Sequence, residues 1–86
     1  MISNRQNPVE WAMLLTELDE AREHLESLID SMNAADGYDD EDFAVELGHI
    51  FAHLNRAWNS RAHVGDIPDE TSSRYTQFPT DLYPVG

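Results

Sequence analysis

Residues 8–34 read PVEWAMLLTELDEAREHLESLIDSMNA, and the spacing of their apolar side chains is the strongest structural signal in the chain. One apolar series recurs every seven residues, at Trp11, Leu18, Leu25 and Met32. A second series has the same spacing, at Leu14, Ala21 and Leu28. Such heptads are typical of an amphipathic helix that packs against another helix. We predict a first helix over residues 8–34, with Asn7 as its cap, Pro8 in its first turn and Glu10 in a capping box.

A second apolar stripe follows the short acidic turn Asp36-Gly37-Tyr38-Asp39-Asp40. Gly37 suits the stop of the first helix, and Asp39 or Asp40 is expected to cap the second. The stripe consists of Phe43, Leu47, Ile50, Leu54 and Ala57, widened by Phe51 and Trp58. We predict a second helix over residues 40–63, which Val64-Gly65 ends and Pro68 keeps from continuing. Two helices joined by so short a turn lie antiparallel.

Residues 66–86 differ in character from the helical stretches. Residues 66–74 are polar and turn-like, and the rest interleaves prolines with Tyr75, Phe78, Leu82 and Tyr83. Prolines interrupt any long helix here, and no alternation indicates a strand. The sequence therefore predicts one all-α domain over residues 1–86, an antiparallel two-helix hairpin with an extended C-terminal tail.

The apolar stripes are wider than one hairpin can bury, so something must cover the remainder. A homodimer that forms a four-helix bundle is one answer. The tail folding back over the helices is another, and a partner protein is a third. Gly48 lies in a stripe of small residues and would permit close approach by another helix or by the tail. The interface residues that we expect are Trp11, Leu18, Leu25, Phe43, Leu47, Gly48, Phe51, Trp58 and Arg61.

The chain carries 17 acidic residues against five arginines and no lysine, for a formal net charge of -12. Such a surface repels nucleic acid and anionic membranes and attracts a basic protein partner. The chain has no cysteine and no apolar run of the roughly 20 residues that span a bilayer. We expect a cytoplasmic protein that binds neither nucleic acid nor membranes.

The one spacing suggestive of a metal site is Glu46-x-x-His49-x-x-x-His53, to which Glu17, Glu20 and His24 of the first helix could add ligands. A helical wheel places Glu46, His49 and His53 on the polar side of the second helix, away from its apolar stripe. We interpret them as a solvated histidine face and predict no metal and no cofactor. The acidic turn lacks the alternating acids of a calcium loop.

No cluster of residues has the pattern of a catalytic site, because cysteine, lysine and a glycine-rich phosphate loop are all lacking. We therefore expect a non-enzymatic interaction or regulatory protein that acts through helical-bundle contacts. Two alternatives stay open. One is an acidic inhibitor, either an immunity-type protein or a nucleic-acid mimic, that occupies a basic site on its partner. The other is a ferritin-like metal-binding protein.

Overall fold

The computed structural model describes all residues, 1–86, and contains three helices and no strand: α1 (Pro8–Ala34), α2 (Asp40–Asn59) and α3 (Asp69–Tyr75). The all-α fold class is confirmed. Contacts between α1 and α2 run in opposite directions along the chain, because Glu10 reaches Gly65, Glu17 reaches His53, and His24 reaches His49. The two long helices therefore form an antiparallel hairpin, in a molecule 48 Å long.

Helix α1 spans the range that the heptads predict, but the predicted capping box at its start is wrong. The Asn7 side chain makes no bond to the helix and instead accepts a 3.4 Å hydrogen bond from the Ser3 N–H. The Glu10 carboxylate accepts from the Gly65 N–H at 3.0 Å. Both side chains therefore serve neighbouring segments of the fold, and the pKa of Glu10 is lowered because the Gly65 N–H favours the charged form.

The hairpin turn lies between Ala34 and Asp40, and its chemistry is local. Gly37 has φ +80, a left-handed conformation that glycine adopts without strain. Asp39 is the cap of α2, because its Oδ1 accepts from the Asp42 N–H at 2.8 Å. Three acids in the first turn of α2 then meet the positive end of its dipole.

Helix α2 ends at Asn59, four residues before the predicted end. The carbonyl of Trp58 accepts both the backbone N–H of Arg61, at 3.2 Å, and its guanidinium, at 2.9 Å. The carbonyl of Arg61 in turn accepts from the Ile2 N–H at 2.7 Å. The Trp58 carbonyl is thus satisfied by the tight turn that follows the helix. The Arg61 carbonyl is satisfied by the amino-terminal segment, which is far away in sequence.

The tail contains a short helix that the sequence analysis missed. Helix α3 follows Pro68, with Asp69 and Glu70 in its first turn and Arg74 in its last, an arrangement that suits the helix dipole. It is only seven residues long, so the prolines around it do not exclude it. Beyond Tyr75 the chain forms no helix and no strand.

The core is small, since eight of 86 residues are buried. Its centre is formed by Ala21, Leu28 and Ile50, with Tyr38 and Leu47 packed against it. Ile2 is also buried, although the amino terminus reads as polar. None of the three helices has a stretch long and apolar enough to cross a membrane.

The cap at Asp39 gives a test of this fold. We expect Asp39→Ala to lower the free energy of unfolding by about 1 kcal/mol, because the Asp42 N–H loses its acceptor. Asp39→Asn removes the same charge but keeps an acceptor oxygen, so it is the matched control and should retain most of the stability. Urea unfolding followed by circular dichroism measures both. An equal loss in the two variants would contradict the cap.

Candidate functional site

The two heptad series of α1 differ in burial. Leu14, Ala21 and Leu28 are buried against α2. The other series lies at the edge of this contact, and its members Leu18, Leu25 and Met32 remain 42%, 44% and 44% exposed. Only one of the two predicted seams therefore faces the second helix.

The exposed apolar side chains of the two helices lie on the same side of the hairpin. Leu18, Leu25 and Leu54 each precede a buried residue by three positions. Each therefore lies about 60° around its helix axis from that buried residue, in the same sense of rotation. Those buried residues are Ala21, Leu28 and Ala57. Because α1 and α2 run in opposite directions, equal angular offsets from their contact place these side chains on the same side of the hairpin. The apolar face is defined here as Leu18, Leu25, Ile29, Phe43 and Leu54, which are 38–51% exposed.

The tail folds back on α2, which was one of the alternatives for covering the wide stripe. The Asn55 amide donates to the Thr76 carbonyl at 2.8 Å. The Asn59 amide donates to the carbonyls of Tyr75 and Gln77 at 2.8 and 2.9 Å. The rings of Phe51 and Phe78 lie 5.2 Å apart. The tail therefore borders the apolar face on the α2 side, while Leu18 and Leu25 stay open.

The predicted interface anchor of Trp58 and Arg61 is occupied within the chain. The Arg61 guanidinium lies 3.8 Å from the centre of the Trp58 ring, a cation–π contact. The Trp58 indole donates to Asp81 at 2.9 Å, and Arg61 donates to the same carboxylate at 3.3 Å. The pKa of Asp81 is lowered, chiefly by the Trp58 indole and also by Arg61.

The other predicted interface residues take different places. Trp11 and Leu47 are half-buried, and Phe51 lies beside the tail at 37% exposure. A Cβ atom built at Gly48 would have no heavy atom within 4 Å. Within this chain, neither the tail nor another helix therefore lies against the Cβ position of Gly48.

The histidines depart furthest from the sequence interpretation. His53 is 5% exposed, so it does not lie on a solvated face. His24 is half-buried and His49 exposed, and their Nε2 atoms lie 3.2 Å apart across the two helices. One ring nitrogen from each of the three residues lies within 4.8 Å of the others. The histidine cluster is defined here as His24, His49 and His53.

Glu46 is not part of this cluster. It is exposed. The pKa of Tyr38 is raised, chiefly by burial of the Tyr38 side chain and then by the negative charge of Glu46. The place of Glu46 beside His53 is taken by two carboxylates of α1. Glu17 Oε2 lies 2.8 Å and Glu20 Oε2 3.2 Å from His53 Nδ1. The predicted Glu46-His49-His53 set is therefore replaced by a cluster shared between both helices.

Arg56 completes the group. Its Nε donates to both oxygens of Glu17 at 3.1 Å, and its Nη2 lies 2.9 Å from His53 Nδ1. Arg56 therefore pairs with an acid of the first helix. The histidine cluster and the apolar face lie on opposite sides of the hairpin, because His24 and His53 each follow a buried residue by three positions, Ala21 and Ile50.

No protein-family model, no curated protein and no solved structure matches this chain.

The contact between Trp58 and Asp81 predicts a pH effect. The lowered pKa of Asp81 means that its contribution to tail packing is present above the ordinary value of 3.8 and is lost as the pH falls through the lower folded-state pKa. We expect the indole N–H resonance of Trp58 to shift with a midpoint below 3.8. The measurement is an NMR pH titration of the full chain.

Asp81→Asn is the control for this titration, because the amide keeps an acceptor oxygen but does not ionise in this range. The shift of the Trp58 resonance should disappear in this variant. A titration that is unchanged in Asp81→Asn would contradict the assignment to this carboxylate.

Proposed function

We propose that this chain is a non-enzymatic interaction module that acts through helical-bundle contacts and pairs with a second copy of itself. The observation that supports the proposal is the apolar face. Leu18, Leu25 and Ile29 of α1 and Phe43 and Leu54 of α2 leave between 38% and 51% of their surface exposed. Contiguous exposed apolar side chains of this kind mark interaction surfaces.

The shape of the face favours a second hairpin as its occupant. Its residues lie in one row on each of two antiparallel helices, so a second copy turned about a two-fold axis would present the same two apolar rows to it. Two hairpins stacked in this way make a four-helix bundle, which would supply the core that one hairpin lacks.

The distribution of charge also supports self-pairing despite the net charge of -12. The acids Glu20, Glu23 and Asp30 lie on the far side of α1 from Leu18 and Leu25. Nearer the face, Arg22 bonds Asp19 at 2.7 Å and lies 4.0 Å from Glu26, which offsets local negative charge. Pairing through the apolar face would therefore keep most carboxylates of the two copies apart and in water.

The test is the mass of the full chain in solution, measured by light scattering in EDTA. We expect the wild-type protein to have twice the mass of one chain. The double variant Leu18→Gln/Leu25→Gln should have the mass of one chain, because glutamine keeps the helix but removes apolar area from the face.

Val45→Gln is the matched control for that experiment. Val45 is 68% exposed and lies nine residues before Leu54, about 180° around α2. A glutamine at this position should leave the measured mass at twice that of one chain. A wild-type protein that keeps the mass of one chain at about 100 µM would overturn self-pairing.

A second candidate function, that of an acidic inhibitor, is favoured by the acidic turn. Five exposed acids and no cation lie between residues 36 and 42: Asp36, Asp39, Asp40, Glu41 and Asp42. This end of the hairpin would present a concentrated negative charge to a basic site on another protein.

For this candidate we expect a complex isolated from the native host to weaken by more than roughly tenfold between about 0.05 and 0.5 M salt, because exposed charge pairs are screened. The triple variant Asp40→Asn/Glu41→Gln/Asp42→Asn should weaken it at low salt, while Asp39 stays as the cap. Surface plasmon resonance measures both effects. A complex indifferent to salt and to these substitutions argues against the candidate.

A further inference from the structure

We propose that the histidine cluster is a binding site for a divalent transition-metal ion, with His24, His49 and His53 as its protein ligands. The three rings come from both long helices. They gather three of the four histidines of the chain in one place. The inference is independent of the proposed self-pairing, because the cluster lies on the other side of the hairpin.

The first argument is the spacing of two ring nitrogens. A Zn–N bond of about 2.0–2.1 Å puts two ligands of a tetrahedral ion roughly 3.3–3.4 Å apart. The Nε2 atoms of His24 and His49 lie 3.2 Å apart. The two rings meet edge to face, with centres 4.3 Å apart. This pair therefore already has the separation of two metal ligands.

The third ligand is supplied by His53. Its ring centre lies 5.2 Å from that of His24 and 5.1 Å from that of His49. One nitrogen from each of the three residues lies within 4.8 Å of the others. A rotation of the side chains that brings the His53 nitrogen up to about 1.5 Å closer completes a three-histidine set at the separation that zinc requires.

The bonds on the other side of His53 prepare it for this role. Two carboxylates, Glu17 and Glu20, lie 2.8 and 3.2 Å from its Nδ1 and favour the tautomer with the proton on that atom, while one guanidinium nitrogen, Arg56 Nη2 at 2.9 Å, opposes them. A neutral ring with Nδ1 protonated presents the lone pair of Nε2 as a ligand. Metal-binding histidines commonly donate their second N–H to a carboxylate, which fixes the tautomer and orients the ring. Glu17 is thus a positioning residue, held in place by Arg56.

A different set, Glu17, Glu20 and His53 Nδ1, also lies within ligand range. The guanidinium of Arg56 argues against a cation there. It bonds both oxygens of Glu17 at 3.1 Å and approaches His53 Nδ1 to 2.9 Å. A metal ion in that position would stand beside a fixed positive charge and compete with it for the oxygens of Glu17. The site is therefore assigned to the three histidines.

The donor set also indicates the class of ion. Three imidazoles suit Zn²⁺, Cu²⁺, Ni²⁺ or Fe²⁺, whereas Mg²⁺ and Ca²⁺ require oxygen ligands. His49 is exposed, so the cluster is open to water on that side, and a water molecule can take a fourth position.

The experiment uses the untagged full chain, stripped with EDTA and then dialysed free of it. Zn²⁺ is titrated by calorimetry and Co²⁺ by visible absorption, both in millimolar Mg²⁺ to occupy surface carboxylates. We expect one ion bound per chain, with the absorption of tetrahedral Co²⁺. His24→Ala and His49→Ala each remove a ligand. Each should reduce the affinity for Zn²⁺ by at least roughly 10–100-fold, the loss expected when only a hydrogen-bond partner of a ligand is removed.

Two variants serve as matched controls. His63→Ala removes the fourth histidine, which contacts the Tyr75 hydroxyl and the Asp66 carbonyl at 3.0 Å, and should leave the affinity unchanged. Glu46→Gln should also leave the affinity unchanged, which would show that Glu46 of the Glu46-x-x-His49 spacing is not a ligand. Glu17→Gln should lower the affinity about 10–100-fold but keep the stoichiometry and the Co²⁺ spectrum, as expected of a positioning residue.

Three outcomes would overturn the proposal. One is no saturable binding of Zn²⁺ or Co²⁺ in the presence of Mg²⁺. A second is binding that His24→Ala leaves unchanged, because then His49 and His53, one turn apart, form an adventitious pair on α2. The third is binding that Glu20→Gln abolishes and His49→Ala does not affect, which would assign the ion to the carboxylates. Circular dichroism of each variant establishes that it is folded.

Discussion

The contact between α1 and α2 is one stripe, and the other surfaces of the molecule are arranged on its two flanks. A helix buries only part of its circumference against a single neighbour, and here Ala21, Leu28 and Ile50 fill that part. The flank on one side is apolar and exposed. The flank on the other side carries histidines and carboxylates that meet across the helices. Both candidate surfaces are therefore consequences of a fold that has two long helices and no third layer.

The long helices could be predicted because their signals are local. The heptads and Pro8 predict both ends of α1, and Asp39 before the second stripe predicts the start of α2. The end of α2 was predicted four residues too late, because the bond from the Ile2 N–H to the Arg61 carbonyl after the helix joins segments that are distant in the chain. Helix α3 was missed although Pro68 and the acids in its first turn are local signals, because seven residues are too few to show an apolar period.

The candidate site was predicted only in part. The apolar residues were identified, but the wheel of one helix does not show which of two heptad series faces the neighbour. The helical wheel of α2 places His49 and His53 off the apolar stripe, and it does not show that His24 of α1 meets them. Their positions three residues after buried residues on both helices, at His24 and His53, were the available signal. In an antiparallel pair this spacing brings the two rings to the same edge of the contact.

Arg61 has a further consequence, because it binds both ends of the chain. Its carbonyl accepts from the Ile2 N–H at 2.7 Å, and its guanidinium holds Asp81 at 3.3 Å. The termini of most small domains fray unless they are tied down. Here one residue contacts both segments, the first through its backbone carbonyl and the second through its guanidinium, so the amino-terminal segment and the tail meet at the turn that follows α2.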